Sequence, residues 1–226
     1  MLANDSFHIA VLPGDGIGPE VMAPVLDILN RVTEMTPGLR LRFTEAPAGA
    51  GYYRETGRSM PESTVKLCRE ADSILLGACG LPEVRYPDGT EIMPQVELRF
   101  IFDLYAGVRP ARLVSGVPCP IVGGAERGID LILIRESTEG LFSSMGKRVV
   151  TRDEARETLL ITRKTSERLF EFSWLPACPY ARNKLKTFDG IFVKFYIEKF
   201  CEKSYSNFNL ITSHIFDDPH VFLCVF

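Results

Sequence analysis

The stretch from Phe7 to Val32 restricts the fold more than any other part of the chain. Phe7 to Leu12 is a short apolar run ended by Pro13-Gly14, which reads as a buried strand. The loop Leu12-Pro13-Gly14-Asp15-Gly16-Ile17-Gly18-Pro19-Glu20 follows, and its three glycines allow a tight turn. Pro19 suits a first helical position, where the missing N–H costs nothing, and Glu20 favours the positive helix start. Val21, Val25, Ile28, Leu29 and Val32 then recur at helical spacing until Pro37-Gly38. A strand, a glycine turn and a helix in that order make the opening of a β-α unit.

The pattern repeats downstream. Leu39, Leu41 and Phe43 alternate with Arg40, Arg42 and Thr44 as a half-buried strand. Residues 61–70 read as a short helix with Val65 and Leu67 inward, 73–77 as a buried strand, and 129–134 as the purest strand of the chain. Thr165 and Ser166 are expected to cap a helix carrying Leu169, Phe170 and Phe172. Strands alternating with helices predict an α/β fold with a largely parallel sheet.

Several function classes are excluded at this level. No apolar run approaches bilayer length, and no basic secretory start precedes Asp5. A net charge of -3 carries no electrostatic footprint for nucleic acid. The six cysteines show neither Cys-x-x-Cys pairing nor a metal-ligand rhythm, so they are expected to be reduced thiols in a cytoplasmic protein without a zinc site. The averages conceal a break near residue 173. The last 53 residues hold one of 18 arginines and one of 18 glycines, yet eight of 15 phenylalanines and five of eight lysines. Such a switch marks either a second coding source or a domain boundary.

Two sets of residues could carry chemistry. The glycine loop can turn backbone amides toward an anion, though Gly-x-Gly-x-Gly-Pro is not the dinucleotide fingerprint and fits a plain strand-to-helix turn equally well. The second set is Arg99, on an expected helix, Arg109, on an expected strand, and Arg135, at the end of the apolar run 131–134. A charged residue at a buried strand end points into the crevice where α/β sheets bind ligands. Three guanidinium forks, if they converge, suit a substrate with two carboxylates. Taken singly, each reads first as a surface or salt-bridging arginine.

Together these strings resemble one family. Val11-Leu12-Pro13-Gly14-Asp15-Gly16-Ile17-Gly18-Pro19-Glu20-Val21 is similar to the start of isocitrate/isopropylmalate dehydrogenases. Leu98-Arg99 followed by 103–110 resembles the family's two-arginine segment, and 134–140 (Ile-Arg-Glu-Ser-Thr-Glu-Gly) its third arginine motif. The resemblance spans about residues 7–173, roughly the first half of a family member. It implies an isopropylmalate dehydrogenase-like α/β fold, truncated and followed by an unrelated or misread tail. Residues 1–106 would be an incomplete cofactor-side domain, 107–173 the start of a substrate and dimer domain, and 174–226 a non-family tail. It also implies an oxidoreductase that uses NAD or NADP with Mg2+ or Mn2+ to oxidise and decarboxylate a 2-hydroxy dicarboxylate, in a homodimer. Arg99, Arg109 and Arg135 would hold carboxylates, Asp15, Ile17 and Gly18 would lie near the cofactor, and Glu91 near its nicotinamide end.

Two departures accompany the match. Where the family carries a tyrosine as general acid, this chain has Phe142, which cannot donate a proton. The family's Val-Asp-Lys-Ala-Asn segment, metal-binding aspartates and His-Gly-Ser-Ala-Pro loop have no counterpart, Asn183-Lys184 and Asp217-Asp218 being the nearest imitations. The chain alone is therefore expected to be inactive. Residues 174–226 are expected not to complete the fold, to pack poorly and to be removable at a cost within about 1 kcal/mol, although Val221 to Phe226 is a β-prone, uncharged run. The helix before Arg99 lacks the serine and asparagine of isocitrate users, and Met93 and Val96 offer an apolar wall for an alkyl substituent, as in isopropylmalate. Ser137-Thr138-Glu139-Gly140 leans instead toward tartrate or malate members. A further alternative is a non-catalytic, regulatory-type subunit that keeps the arginines.

Overall fold

In a computed structural model, residues 5–174, 185–187 and 222–225 are described. The expected opening is present as β1 (Asp5–Leu12) and α1 (Gly18–Met35). β2 (Leu39–Glu45), α2 (Ala50–Thr56), α3 (Glu62–Glu70), β3 (Ser73–Leu76) and α4 (Pro94–Ile101) follow. These elements belong to a first compact unit that ends at Phe102, and a second begins at Asp103.

In the first unit β1 is the central strand of a parallel sheet ordered β2-β1-β3, with Ile9 opposite both Phe43 and Ser73. Ala10, Val11 and Leu12 are buried because a central strand of a parallel sheet is covered on both faces. Ala10 and Leu12 share a core with Ala48, Met60, Cys68 and Leu98, and Val65 and Leu67 of α3 pack against it as expected. The stripe expected on α1 behaves differently. Gly18 and Met22 are the buried residues of this helix, while Val21, Ile28 and Val32 are exposed. Periodicity marked the apolar arc correctly, but three strands cover only one edge of it.

The second unit contains β4 (Ala106–Arg112), α5 (Gly124–Arg127), β5 (Asp130–Glu136) and a 3-10 turn (Phe142–Ser144). The hairpin β6 (Val149–Val150) and β7 (Ala155–Arg156), then α6 (Arg163–Trp174), β8 (Leu185–Thr187) and β9 (Phe222–Val225) complete it. Its main sheet is ordered β4-β5-β9-β8 and is mixed, antiparallel between β4 and β5 and parallel beyond, so a parallel sheet describes only the first unit. Ile132 and Ile134 face α6 and pack with Leu169 and Phe170. Asp103 has a left-handed backbone (φ 51°), and the Arg168 fork holds its carboxylate while stacking over Tyr105 at 3.9 Å.

Two expectations need correction here. Residues 174–226 were expected not to complete the fold, yet Phe222–Val225 adds a strand that pairs with Ile132–Arg135 and with Leu185–Thr187. A β-prone run meeting the free edge of β5 pairs there because an open edge leaves backbone groups unsatisfied. The packing expected of the rest of that segment, with Asn183-Lys184 and Asp217-Asp218, lies outside the described residues. The cap of α6 is Thr162 rather than Thr165 or Ser166: Thr162 Oγ1 accepts the Thr165 N–H at 3.2 Å, and the other two lie inside the helix.

Candidate active site

Each unit carries candidate residues of its own. In the first, the loops that follow β1, β2 and β3 are drawn together by Asp15. One carboxylate oxygen accepts the Gly80 N–H at 2.6 Å and the other the Gly51 N–H at 3.0 Å. The Asp15 N–H donates to Ala78 O at 3.0 Å, and the Gly77 N–H to Leu12 O at 2.8 Å. Glycine is required for this approach: a Cβ on Gly14 would sit 2.0 Å from Ala78 O, and one on Gly18 2.3 Å from both Ala78 O and Pro13 O. The immediate task of Asp15 is thus to tie three loops together. Cys79 beside it is pushed up to about 11 by burial and by the Asp15 charge, so its thiol is a poor nucleophile near neutral pH.

The helix start offers an anion less than the glycine pattern suggests. The Gly18 N–H already donates to Asp15 O at 3.0 Å, and Pro19 has no N–H. Ile17, the residue preceding α1, is exposed, whereas Gly18 is buried. Glu91 is exposed and ion-paired with Arg85 at 3.1 Å. Arg99 lies on α4, half-buried. Val96, expected to offer an apolar wall with Met93, is a core residue of its own unit, so it packs the helix. Glu97 on the same helix accepts the Ser59 hydroxyl at 2.5 Å and the Tyr86 hydroxyl at 2.9 Å. Burial, then the bond to Glu97 and its charge, push the Tyr86 phenol up to about 12. These partners lie far apart in sequence and carry no local signature.

In the second unit the antiparallel register pairs Gly107 with Arg135 and Arg109 with Leu133. Paired residues share a sheet face, and side chains alternate along a strand. Arg109 and Arg135 are therefore diagonal neighbours on the face opposite Ile132 and Ile134. The Arg135 guanidinium lies over the Phe142 ring, 5.2 Å from its centroid. Arg135, but not Arg109, lines a cavity of about 280 Å3 whose apolar wall is Leu141, Phe142, Leu159 and Ile161.

The two acidic residues of the 134–140 motif are committed elsewhere. Glu136 accepts the Thr138 N–H and hydroxyl and the Glu139 N–H at 2.6–2.8 Å. Glu139 accepts the Thr162 N–H and the hydroxyls of Thr162 and Thr165 at 2.7–2.8 Å, so it holds the start of α6 from another segment. Ser166, which also lines the cavity, donates its hydroxyl to Thr162 O at 2.7 Å. Sequence reasoning missed the Glu139 role; Thr162-x-x-Thr165 after an apolar run was the only signal for it. Replacing Glu139 with Ala should cost about 2–3 kcal/mol, the scale of charged hydrogen bonds at a helix start. The urea midpoint of helical circular dichroism measures this, and Glu139→Gln should recover part of it.

Comparison with known proteins places this architecture. The family model described as isocitrate/isopropylmalate dehydrogenase matches residues 8–194, running past the compositional break at residue 173. The 3-isopropylmalate dehydrogenase of Thermobifida fusca is 38% identical over 181 residues, 78% of this chain and 50% of that protein. A probable tartrate dehydrogenase/decarboxylase of Bacillus subtilis is 33% identical over 171 residues, 74% and 48% of the two chains. The solved TT0538 protein of Thermus thermophilus superposes with a TM-score of 0.76 at 28% identity, over 96% of this chain and 45% of that one. The chain spans about half the length of such relatives. With the two-unit α/β fold, the glycine loop and the ordered arginines, these matches show that the chain belongs to the isocitrate/isopropylmalate dehydrogenase family.

Proposed function

We propose that this chain supplies the carboxylate-binding part of an NAD(P)-dependent decarboxylating dehydrogenase acting on an alkyl-bearing 2-hydroxy dicarboxylate such as 3-isopropylmalate. The observation that carries the reading is Arg135, which lines the cavity with its apolar wall and shares its sheet face with Arg109. The Arg135 fork at the cavity and the Arg109 fork on the same sheet face suit carboxylates, and Leu141, Phe142, Leu159 and Ile161 suit an alkyl group better than the hydroxyls of tartrate. Arg99, on α4, is proposed as a further carboxylate ligand on the family resemblance alone. A tartrate or malate substrate is the second reading, favoured by the Bacillus subtilis relative and the 137–140 string.

Asp15 would serve the cofactor by shaping the loops, with Ile17, Gly18 and Glu91 as the proposed residues along its path. The bound nicotinamide would supply the hydride acceptor. The described residues do not fit a divalent metal, since no three His, Cys, Asp or Glu side chains gather among them. A homodimer and a cytoplasmic location are proposed with the family. Phe142 leaves open a binding role without catalysis.

Isothermal titration of the purified chain in chelator tests the reading. Weak saturable binding of 3-isopropylmalate is expected, tighter than that of tartrate. Arg135→Gln and Arg109→Gln should each weaken it about tenfold or more, the scale of a charged hydrogen bond. Binding indifferent to both substitutions would remove the arginines from the site.

A further inference from the structure

Arg135 keeps its fork uncommitted beside two carboxylates. Other arginines of the chain have spent theirs: Arg85 pairs with Glu91, Arg112 with Asp130 and Arg168 with Asp103. Arg135 is ion-paired with none of the described residues, although Glu136 and Glu139 line the same cavity. Both acids are held by local donors instead. Glu136 accepts from Thr138 and from the Glu139 N–H, and Glu139 from Thr162 and Thr165. The contact that the Arg135 guanidinium does make is with the Phe142 ring, 5.2 Å from its centroid.

The loop between the two residues folds back to make that contact. Gly140, at φ 70°, turns the chain. Its N–H donates to Leu160 O at 2.7 Å, and its carbonyl accepts the Leu160 N–H at 3.3 Å and the Ser143 hydroxyl at 2.8 Å. Phe142 opens the 3-10 turn that follows, half-buried like Arg135 at the end of β5. A ring face attracts a cation through its quadrupole and takes up none of its N–H donors, whereas a carboxylate would occupy the fork. Holding a long side chain in place beforehand also lowers the ordering cost of binding.

We propose that Phe142 is a positioning residue for Arg135: its ring holds the guanidinium at the cavity by cation–π attraction and presents an open fork to a substrate carboxylate. The proposal rests on the reading of Arg135 as a carboxylate ligand. Phe142 has no proton to give, but it retains the ring face, so presentation of the fork does not depend on proton transfer.

Titration of the full 226-residue chain with 3-isopropylmalate in chelator tests this. Phe142→Leu keeps an apolar wall but removes the ring face, and should weaken binding about three- to tenfold, the scale of cation–π attraction at a half-buried site. Phe142→Tyr restores an electron-rich ring and should recover most of that loss. Mono-, di- and trifluorinated phenylalanine incorporated at position 142 keep the ring's shape while draining its face of charge. Affinity should therefore fall stepwise with fluorine number, an order that a merely packing ring would not produce. This series also stands if the leucine variant folds poorly. Affinity indifferent to fluorination, while Arg135→Gln still weakens it, overturns the proposal and leaves the carboxylate reading intact. Binding unchanged by Arg135→Gln, or no binding at all, removes that reading and the proposal with it.

Discussion

Given 3-isopropylmalate, malate, tartrate or isocitrate with NAD or NADP and Mg2+ or Mn2+, the purified chain is expected to produce no nicotinamide reduction above the uncatalysed background. The chemistry needs a base for the hydroxyl proton, a stabiliser for the enolate left when carbon dioxide departs, and an acid to protonate it. Among the described residues, the carboxylates and hydroxyl lining the cavity beside Arg135 offer no free proton donor. Phe142 has none, Ser166 gives its proton to Thr162 O, and Glu136 and Glu139 are taken up as acceptors. Catalytic groups acting as a set are strongly non-additive, and losing members costs on the order of a thousandfold or more. Phe142→Tyr alone is therefore expected to restore nothing measurable, because the base and the metal ligands would still be wanting. A spectrophotometric assay at 340 nm decides it, and metal-dependent reduction by the unmodified chain would defeat the expectation.

Local order was legible in the sequence because it is written in local rules. The apolar run 7–12, the glycine turn and Pro19 specify β1 and the start of α1 without any distant partner. The three arginines were legible as residue types at strand and helix positions, and α4, β4 and β5 carry Arg99, Arg109 and Arg135 where expected. The partners that shape the site were not legible. Asp15 meets Gly51 and Gly80, 36 and 65 residues away, and Glu139 meets Thr162 and Thr165 across a loop, a hairpin and a bridge. Nothing in the neighbourhood of such residues announces a bond made only when strands assemble. The same limit explains α1: periodicity gives the width of an apolar arc, but what covers it depends on how many elements the sheet recruits. It explains β9 as well, since composition identified a β-prone run while its pairing with β5 is a non-local event.

The glycine loop provides the sharpest structural expectation. Gly14→Ala should destabilise the first unit by about 2–5 kcal/mol, combining two costs. Gly14 has φ +79°, a left-handed conformation that costs an L-residue roughly 1–2 kcal/mol. Its new Cβ would also lie 2.0 Å from Ala78 O, and overpacking of this kind costs typically 1–3 kcal/mol more. The carbonyl cannot simply retreat, because Ala78 O accepts the Asp15 N–H and the Asp15 carboxylate holds Gly80 just beyond it. Two companion variants separate the costs. Gly57 has φ +74° with nothing within 4 Å of its Cβ, so Gly57→Ala should show the conformational cost alone, about 1 kcal/mol. Gly18 carries no positive φ but would meet Ala78 O and Pro13 O at 2.3 Å, so Gly18→Ala should show the clash alone. Urea unfolding of the three variants, followed by circular dichroism, gives the comparison. If Gly14→Ala costs no more than Gly57→Ala, the β1 and β3 loops do not close on each other, and Asp15 could not bridge them. If Gly14→Ala approaches the sum of the other two, the close approach of those loops is what demands glycine at the tip of β1, and the candidate cofactor path rests on it.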